Sequence, residues 1–297
     1  MIVRARPGRQ SPALANAPER WYAGPLQSNP SSIAPANKEE RPMLIDADTH
    51  ISPGGGAFAL EEHLKSVERA GVDRTLCWLN PAHYSDYVGL TACNRYVYEA
   101  ARRHPEAILG FGWADPTLGV QEARDTVRRC VEEYGFFGVK LNGAQNNYYI
   151  DDPEISLPVI EEIAGTGRLL AFHVGADAFE QTHPFRVAKI ARRFPELGIL
   201  MAHMGGVGHR DLTDAAIEFA AECPNLTLIG SAVHTRAILK AVRTLGAGRV
   251  CFGSDSPFEL MHVELARYRA MLDGEVPEED KARILGGNIA RVLGLTD

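Results

Sequence analysis

From Met43 onward, short apolar runs alternate with longer amphipathic stretches. The runs 44–48, 74–79, 108–113, 137–141, 169–174, 199–203, 226–230 and 250–253 read as strands. Between them, 60–70, 91–103, 120–134, 157–165, 185–194, 212–222, 236–245 and 263–272 carry helical period, and 278–293 adds a C-terminal helix. The strands lack polar alternation and each is followed by an amphipathic helix, which predicts a parallel sheet covered on both faces. Eight such units predict an α/β fold of the TIM (β/α)8 barrel type. An open doubly wound sheet is the alternative. Its phosphate loop would follow the first strand, but Gly54, Gly55 and Gly56 come after a histidine and lead directly into no helix, so they read as a lid or a plain turn.

The first 42 residues differ. Seven prolines from Pro7 to Pro42 punctuate a stretch with no sustained apolar period. Such a segment cannot bury enough surface to offset its ordering entropy, and a disordered N-terminal extension over 1–42 is expected, with the barrel over 43–297. The stretch lacks the apolar core of a secretory signal, and Arg4, Arg6 and Arg9 with no early acid resemble a transit peptide only loosely. Met43, directly before the first strand, is an alternative start.

Composition narrows the partners. The chain has 297 residues, 45% hydrophobic and 23% charged, and a formal charge of −7. That sign disfavours nucleic acid and anionic membranes, leaving a small-molecule substrate as the expected partner. Five cysteines without paired spacing point to reduced thiols and a cytoplasmic setting, and argue against a zinc finger.

The candidate chemistry lies where the strands end. Asp46, Asp48 and His50 alternate along the first strand, so period-two geometry sets them on one face. A lone histidine ending an apolar strand is most often a core residue, but His173 and His203 end consecutive strands. Asp255 follows the last strand, where it reads either as a turn cap before Pro257 or as a ligand and base. Imidazoles and carboxylates at one end of a closed parallel barrel can share a metal ion.

The segments Ile45-Asp46-Ala47-Asp48-Thr49-His50, Gly138-Val139-Lys140-Leu141, Phe172-His173-Val174-Gly175, Ala202-His203-Met204-Gly205-Gly206 and Phe252-Gly253-Ser254-Asp255-Ser256-Pro257 together resemble the amidohydrolase-related branch of the amidohydrolase superfamily. The resemblance runs from about Met43 to Leu295. It implies that Asp48, His50, His173 and Asp255 hold one divalent metal, zinc or manganese, with His203 and Asp255 catalytic. Asp48 stands where hydrolases of the family carry histidine and several nonoxidative decarboxylases carry an acid, and an oxygen ligand shifts preference from zinc toward manganese. In some superfamily members a lysine at the position of Lys140 is carboxylated and bridges two metals. Here a structural or substrate-contacting ammonium is expected, with His209 and His234 as further substrate contacts. His63 and His104 fall on helices, where exposed or capping roles are the default.

The function expected first is metal-assisted hydrolysis of a small amide, lactone or ester by an activated water. The alternatives are a nonoxidative decarboxylase of a small carboxylic acid, aromatic acids included, and an inactive binding barrel. Barrels of this kind often pair as homodimers.

Overall fold

In the computed structural model, which describes residues 41–175, 178–207 and 209–295, the expected strands pair in chain order. The extension expected over 1–42 thus lies almost wholly outside the described residues. Strand β1 (Ile45–His50) pairs parallel with β2 (Arg74–Trp78), and β2 with β3 (Ile108–Gly110). A second parallel run joins β4 (Gly112–Trp113), β5 (Gly138–Leu141), β6 (Leu169–Gly175), β7 (Ile199–Val207), β8 (Leu226–Ile229) and β9 (Val250–Cys251). The expected strand 108–113 breaks at Phe111, whose N–H still donates to the Cys77 carbonyl at 2.9 Å. β3 and β4 are therefore halves of one barrel strand.

The first and last strands close the ring. The Ala47 N–H donates to Phe252 O (3.0 Å), the His50 N–H to Ser256 O (2.8 Å) and the Asp255 N–H to Asp48 O (2.8 Å). Eight strand positions closed in this way make the parallel TIM barrel that the hydrophobic pattern predicts.

The surrounding helices are α1 (Leu60–Ala70), α2 (Tyr87–Arg103), α3 (Val120–Arg128), α4 (Gly143–Asn146), α5 (Leu157–Gly165) and α6 (Pro184–Arg193). They continue as α7 (Arg210–Glu222), α8 (Thr235–Leu245), α9 (Met261–Leu272), α10 (Glu278–Ala282) and α11 (Asn288–Leu293). α2 begins a turn earlier than its apolar period because the Asp86 carboxylate accepts the Gly89 N–H at 2.7 Å and caps it. The single C-terminal helix expected over 278–293 is interrupted by a π-turn at Arg283–Gly287. There the Ile284 carbonyl accepts the Phe252 N–H from the barrel (2.8 Å), and Gly286 lies so close to Met43 that a Cβ would fall 2.0 Å from its carbonyl oxygen. Backbone contact with the barrel, not helix period, sets that turn.

Trp78, Phe111, Trp113, Phe172 and Phe252 are among the largest fully buried side chains of the core. Toward the strand C-termini this packing gives way to buried polar groups, among them Asp48, His50, Lys140, His203 and Ser231. His63 corrects the helix-surface expectation. Its ring is buried under α1, with Nε2 2.9 Å from the Thr75 hydroxyl, because α1 turns this position onto β2. His104 ends α2 half-exposed, 3.7 Å from Glu106, in keeping with a cap. Among the described residues no helix is long and apolar enough to cross a membrane.

Candidate active site

β1 delivers two groups to the barrel mouth and keeps a third below it. Asp46 Oδ1 accepts the Ser254 N–H (2.8 Å) and the Asp48 N–H (3.1 Å), tying the ends of β1 and β9 together. Burial pushes its carboxyl up to about 7 against those hydrogen bonds. Two residues on, Asp48 Oδ2 accepts from the Ser231 hydroxyl, while its buried Oδ1 has no hydrogen-bond partner among the described residues. His50 Nδ1 lies 2.9 Å from the Leu79 carbonyl, which can only accept, so Nδ1 carries the hydrogen. Its Nε2 is a lone pair, accepting the Trp78 indole N–H at 3.1 Å.

β6 and β7 bring in the imidazole pair. His203 Nε2 lies 3.1 Å from His173 Nδ1, and His203 Nδ1 faces the Ser231 carbonyl at 3.2 Å and its hydroxyl oxygen at 3.0 Å. Among the described residues, the buried His173 Nε2 has no partner. Burial first, then the charges of His203, Lys140 and His50, drive the His173 pKa well below its usual value, so its ring is neutral. Asp255 completes the mouth, with Oδ1 3.4 Å from His50 Nε2. Burial alone would raise its carboxyl, but His203 and His50, whenever their rings take up a proton, and the Lys140 ammonium hold it below the usual carboxylate range.

The backbone is strained where it carries these groups. His203 (φ 61°), Met204 (φ 44°), Ala232 (φ 53°) and Asp255 (φ 61°) all adopt the left-handed region without being glycine. Each such residue costs roughly 1–3 kcal/mol, and they cluster at functional sites.

The atoms that meet here are mostly acceptors. Asp48, His203 and Asp255 each bring a donor atom to within 4.8 Å of the other two, and His50 Nε2 stands 3.7 Å from Asp48 Oδ1. Asp48 Oδ1 and His173 Nε2 are buried with unused lone pairs. Lone pairs converging without hydrogens between them repel, and a cation removes the repulsion. The donor set fits one divalent metal. With two carboxylates beside imidazole it is oxygen-rich, which suits manganese better than an all-nitrogen set would.

Lys140 is part of this cluster. Its Nζ is fully buried, 3.8 Å from Asp48 Oδ1 and 3.7 Å from the Trp78 ring centroid, with no hydrogen-bond partner among the described residues. His209 and His234 are not brought in. Both are exposed at the starts of α7 and α8, and His209 lies against Phe179 at 5.6 Å. Three participants escaped the sequence reading. Ser231 and Trp78 close their strands as the ligands do, but neither belongs to the residue types sought for a metal. Phe258, exposed and 5.4 Å from the His50 ring, sits on the last loop and forms a wall beside the site.

Fold and site together define a barrel enzyme type with a metal-fitted centre at the strand C-termini. The chain belongs to the amidohydrolase family, type 2, whose sequence model matches residues 45–295. Among curated proteins it is similar to a 2-amino-3-carboxymuconate-6-semialdehyde decarboxylase of Dictyostelium discoideum, 26% identical over 239 residues. That match spans 68% of this chain and 65% of the relative, just under two thirds of its length. Among solved structures, the 5-carboxyvanillate decarboxylase LigW of Sphingomonas paucimobilis superposes with a TM-score of 0.69 at 19% identity, covering 86% of this chain and 100% of that one. A dihydroxybenzoic acid decarboxylase of Polaromonas, solved with bound manganese, gives 0.69 at 18% identity, covering 86% and 98%. At these identities the structural likeness establishes the fold.

Proposed function

We propose that this chain is a metal-dependent nonoxidative decarboxylase of a small carboxylic acid. The observation that carries the reading is Asp48, a buried carboxylate with a bare oxygen beside Asp255 and His203, where hydrolases of the family place histidine. Its similarity to a curated decarboxylase supports the same reading. Asp48, Asp255 and His173, with His50 beside them, would hold the cation. A bound divalent ion would supply a positive centre that binds the substrate carboxylate and a neighbouring oxygen.

Loss of carbon dioxide leaves an electron pair on carbon, which takes up one proton. His203 and Asp255, the titratable groups grouped with Asp48, are assigned that transfer. Because His203 Nδ1 faces the Ser231 carbonyl, any proton this ring exchanges with substrate passes through Nε2. Phe258, against His50 at the rim, shields the site from water on one side.

Hydrolysis, the function expected first from sequence, is kept as the second reading on one observation. Asp255 is held ionised by its neighbours, as a base acting on water requires. The two are separated by supplying manganese or zinc to the purified protein and offering a panel of carboxylic acids, lactones and amides. Carbon dioxide release from an acid supports decarboxylation. Hydrolysis of a lactone or amide with no carbon dioxide from any acid would reverse the order.

A further inference from the structure

We infer that Ser231 is the positioning residue that, directly and through His203, decides which atoms of Asp48 and His173 are left bare for the metal. This rests on the metal-centred reading of the site. Ser231 is fully buried directly after β8, and the Tyr268 hydroxyl anchors the preceding residue by donating to the Gly230 carbonyl at 2.8 Å. It acts with two groups in two directions.

The hydroxyl works toward β1. An ionised carboxylate can only accept, so the Ser231 hydrogen lies on Asp48 Oδ2. That engages one oxygen and leaves Oδ1, which has no hydrogen-bond partner, turned to the site. With its hydrogen spent on Asp48, the hydroxyl oxygen is an acceptor toward His203 Nδ1 at 3.0 Å.

The carbonyl works toward β7. It too can only accept, so at 3.2 Å it places a hydrogen on His203 Nδ1. In the neutral ring Nε2 is then a lone pair, and the 3.1 Å contact to His173 Nδ1 is a bond in which His173 donates. A neutral His173 bearing hydrogen on Nδ1 has a bare Nε2, the atom found buried and unpartnered. A single chain of donors, Ser231 to Asp48, His203 to Ser231 and His173 to His203, thus leaves one carboxylate oxygen and one imidazole nitrogen open. Partners of metal ligands orient them and fix their tautomers in this way.

The test has two readouts that need no turnover. In metal-free full-length protein labelled with 15N-histidine, two-bond proton–nitrogen spectra should show both His203 and His173 carrying hydrogen on Nδ1. Hydrogen on Nε2 of His203 would overturn the assignment. In the second arm, manganese affinity is measured by calorimetry for Ser231→Ala and Ser231→Thr. The alanine variant should bind roughly 10- to 100-fold more weakly, and the threonine variant, which keeps the hydroxyl, close to the parent. Unchanged binding in the alanine variant, or equal weakening in both, would overturn the role of the hydroxyl. If Ser231→Ala does not fold, the spectrum of the unaltered protein still decides. The expected spectrum and affinities without carbon dioxide release would sink the decarboxylase reading and leave this assignment standing.

Discussion

The ammonium of Lys140 stands 3.7 Å above the centroid of the Trp78 ring and 3.8 Å from Asp48 Oδ1, and it donates no hydrogen bond to any described residue. A ring face and a carboxylate hold this charge, where water would hold an exposed one. Desolvated cation–π contacts reach about 2 kcal/mol, yet burial still pulls the lysine pKa down, with Asp48 and Asp255 opposing.

A divalent ion at Asp48 would be repelled by that ammonium. Lys140→Met removes the repulsion but leaves Asp48 without its cation when metal is absent. The metal-free variant should therefore melt below the parent, and added manganese should raise its melting temperature by more than it raises the parent's. Calorimetric scans with and without manganese check this. An equal rise in both proteins would show that the ion does not sense Lys140.

The ligand set can be divided by substitution. Asp255→Ala should lose most bound metal, since its carboxylate lies within 4.8 Å of Asp48 and His203, and His173→Ala should do the same, since it removes a bare buried nitrogen. His203→Ala should keep it, because its Nε2 already accepts from His173, and should lose turnover instead. Elemental analysis of the three variants settles the matter. Equal loss in His203→Ala would make this ring a ligand, as its position within 4.8 Å of both carboxylates allows.

Most of the barrel was legible because parallel strands buried on both faces are continuously apolar, and the helices between them keep their period. The closing positions Asp48, His203 and Asp255 were legible for the same reason, a polar side chain at the end of an apolar run being conspicuous. What escaped depends on contacts distant in sequence. Ser231 earns its place from a carboxylate 183 residues away, and the π-turn at Arg283–Gly287 from a carbonyl bonded to the barrel. His63 looked like a surface residue because helical period alone does not say that Thr75 waits opposite it.

That histidine makes stability depend on pH. Burial first, and then the charge of His50, lower its pKa from the usual 6.5 to about 4. The folded ring binds fewer protons than the unfolded one across this window, so its contribution is complete above 6.5 and is lost as pH falls toward 4. The loss amounts to roughly 3 kcal/mol. Asp46, raised to about 7, has the opposite sign, its contribution being lost as pH rises through that value. Asp46 is common to parent and His63→Gln, so the difference between them isolates the histidine. Denaturant unfolding at pH 4 to 7 should show the parent losing stability relative to the variant as pH falls. Parallel profiles would mean that the buried ring is not kept neutral.

The decarboxylase and hydrolase readings part at Asp48→His. The substitution restores the histidine that family hydrolases carry and removes both the carboxylate oxygen and the acceptor for Ser231. A site richer in nitrogen should prefer zinc over manganese more than the parent does. If Asp48 serves the binding of a carboxylate substrate beside a hard cation, carbon dioxide release should fall further than any hydrolysis the protein performs. Space is tight there, since a Cβ on Gly253 would lie 3.0 Å from the Asp48 Cβ, and the larger ring should lower stability by about 1–3 kcal/mol. Metal content and melting temperature must therefore be read alongside the rates, so that disrupted packing is not mistaken for altered chemistry. A variant that folds, binds zinc fully and releases carbon dioxide faster than the parent would overturn the role assigned to this aspartate.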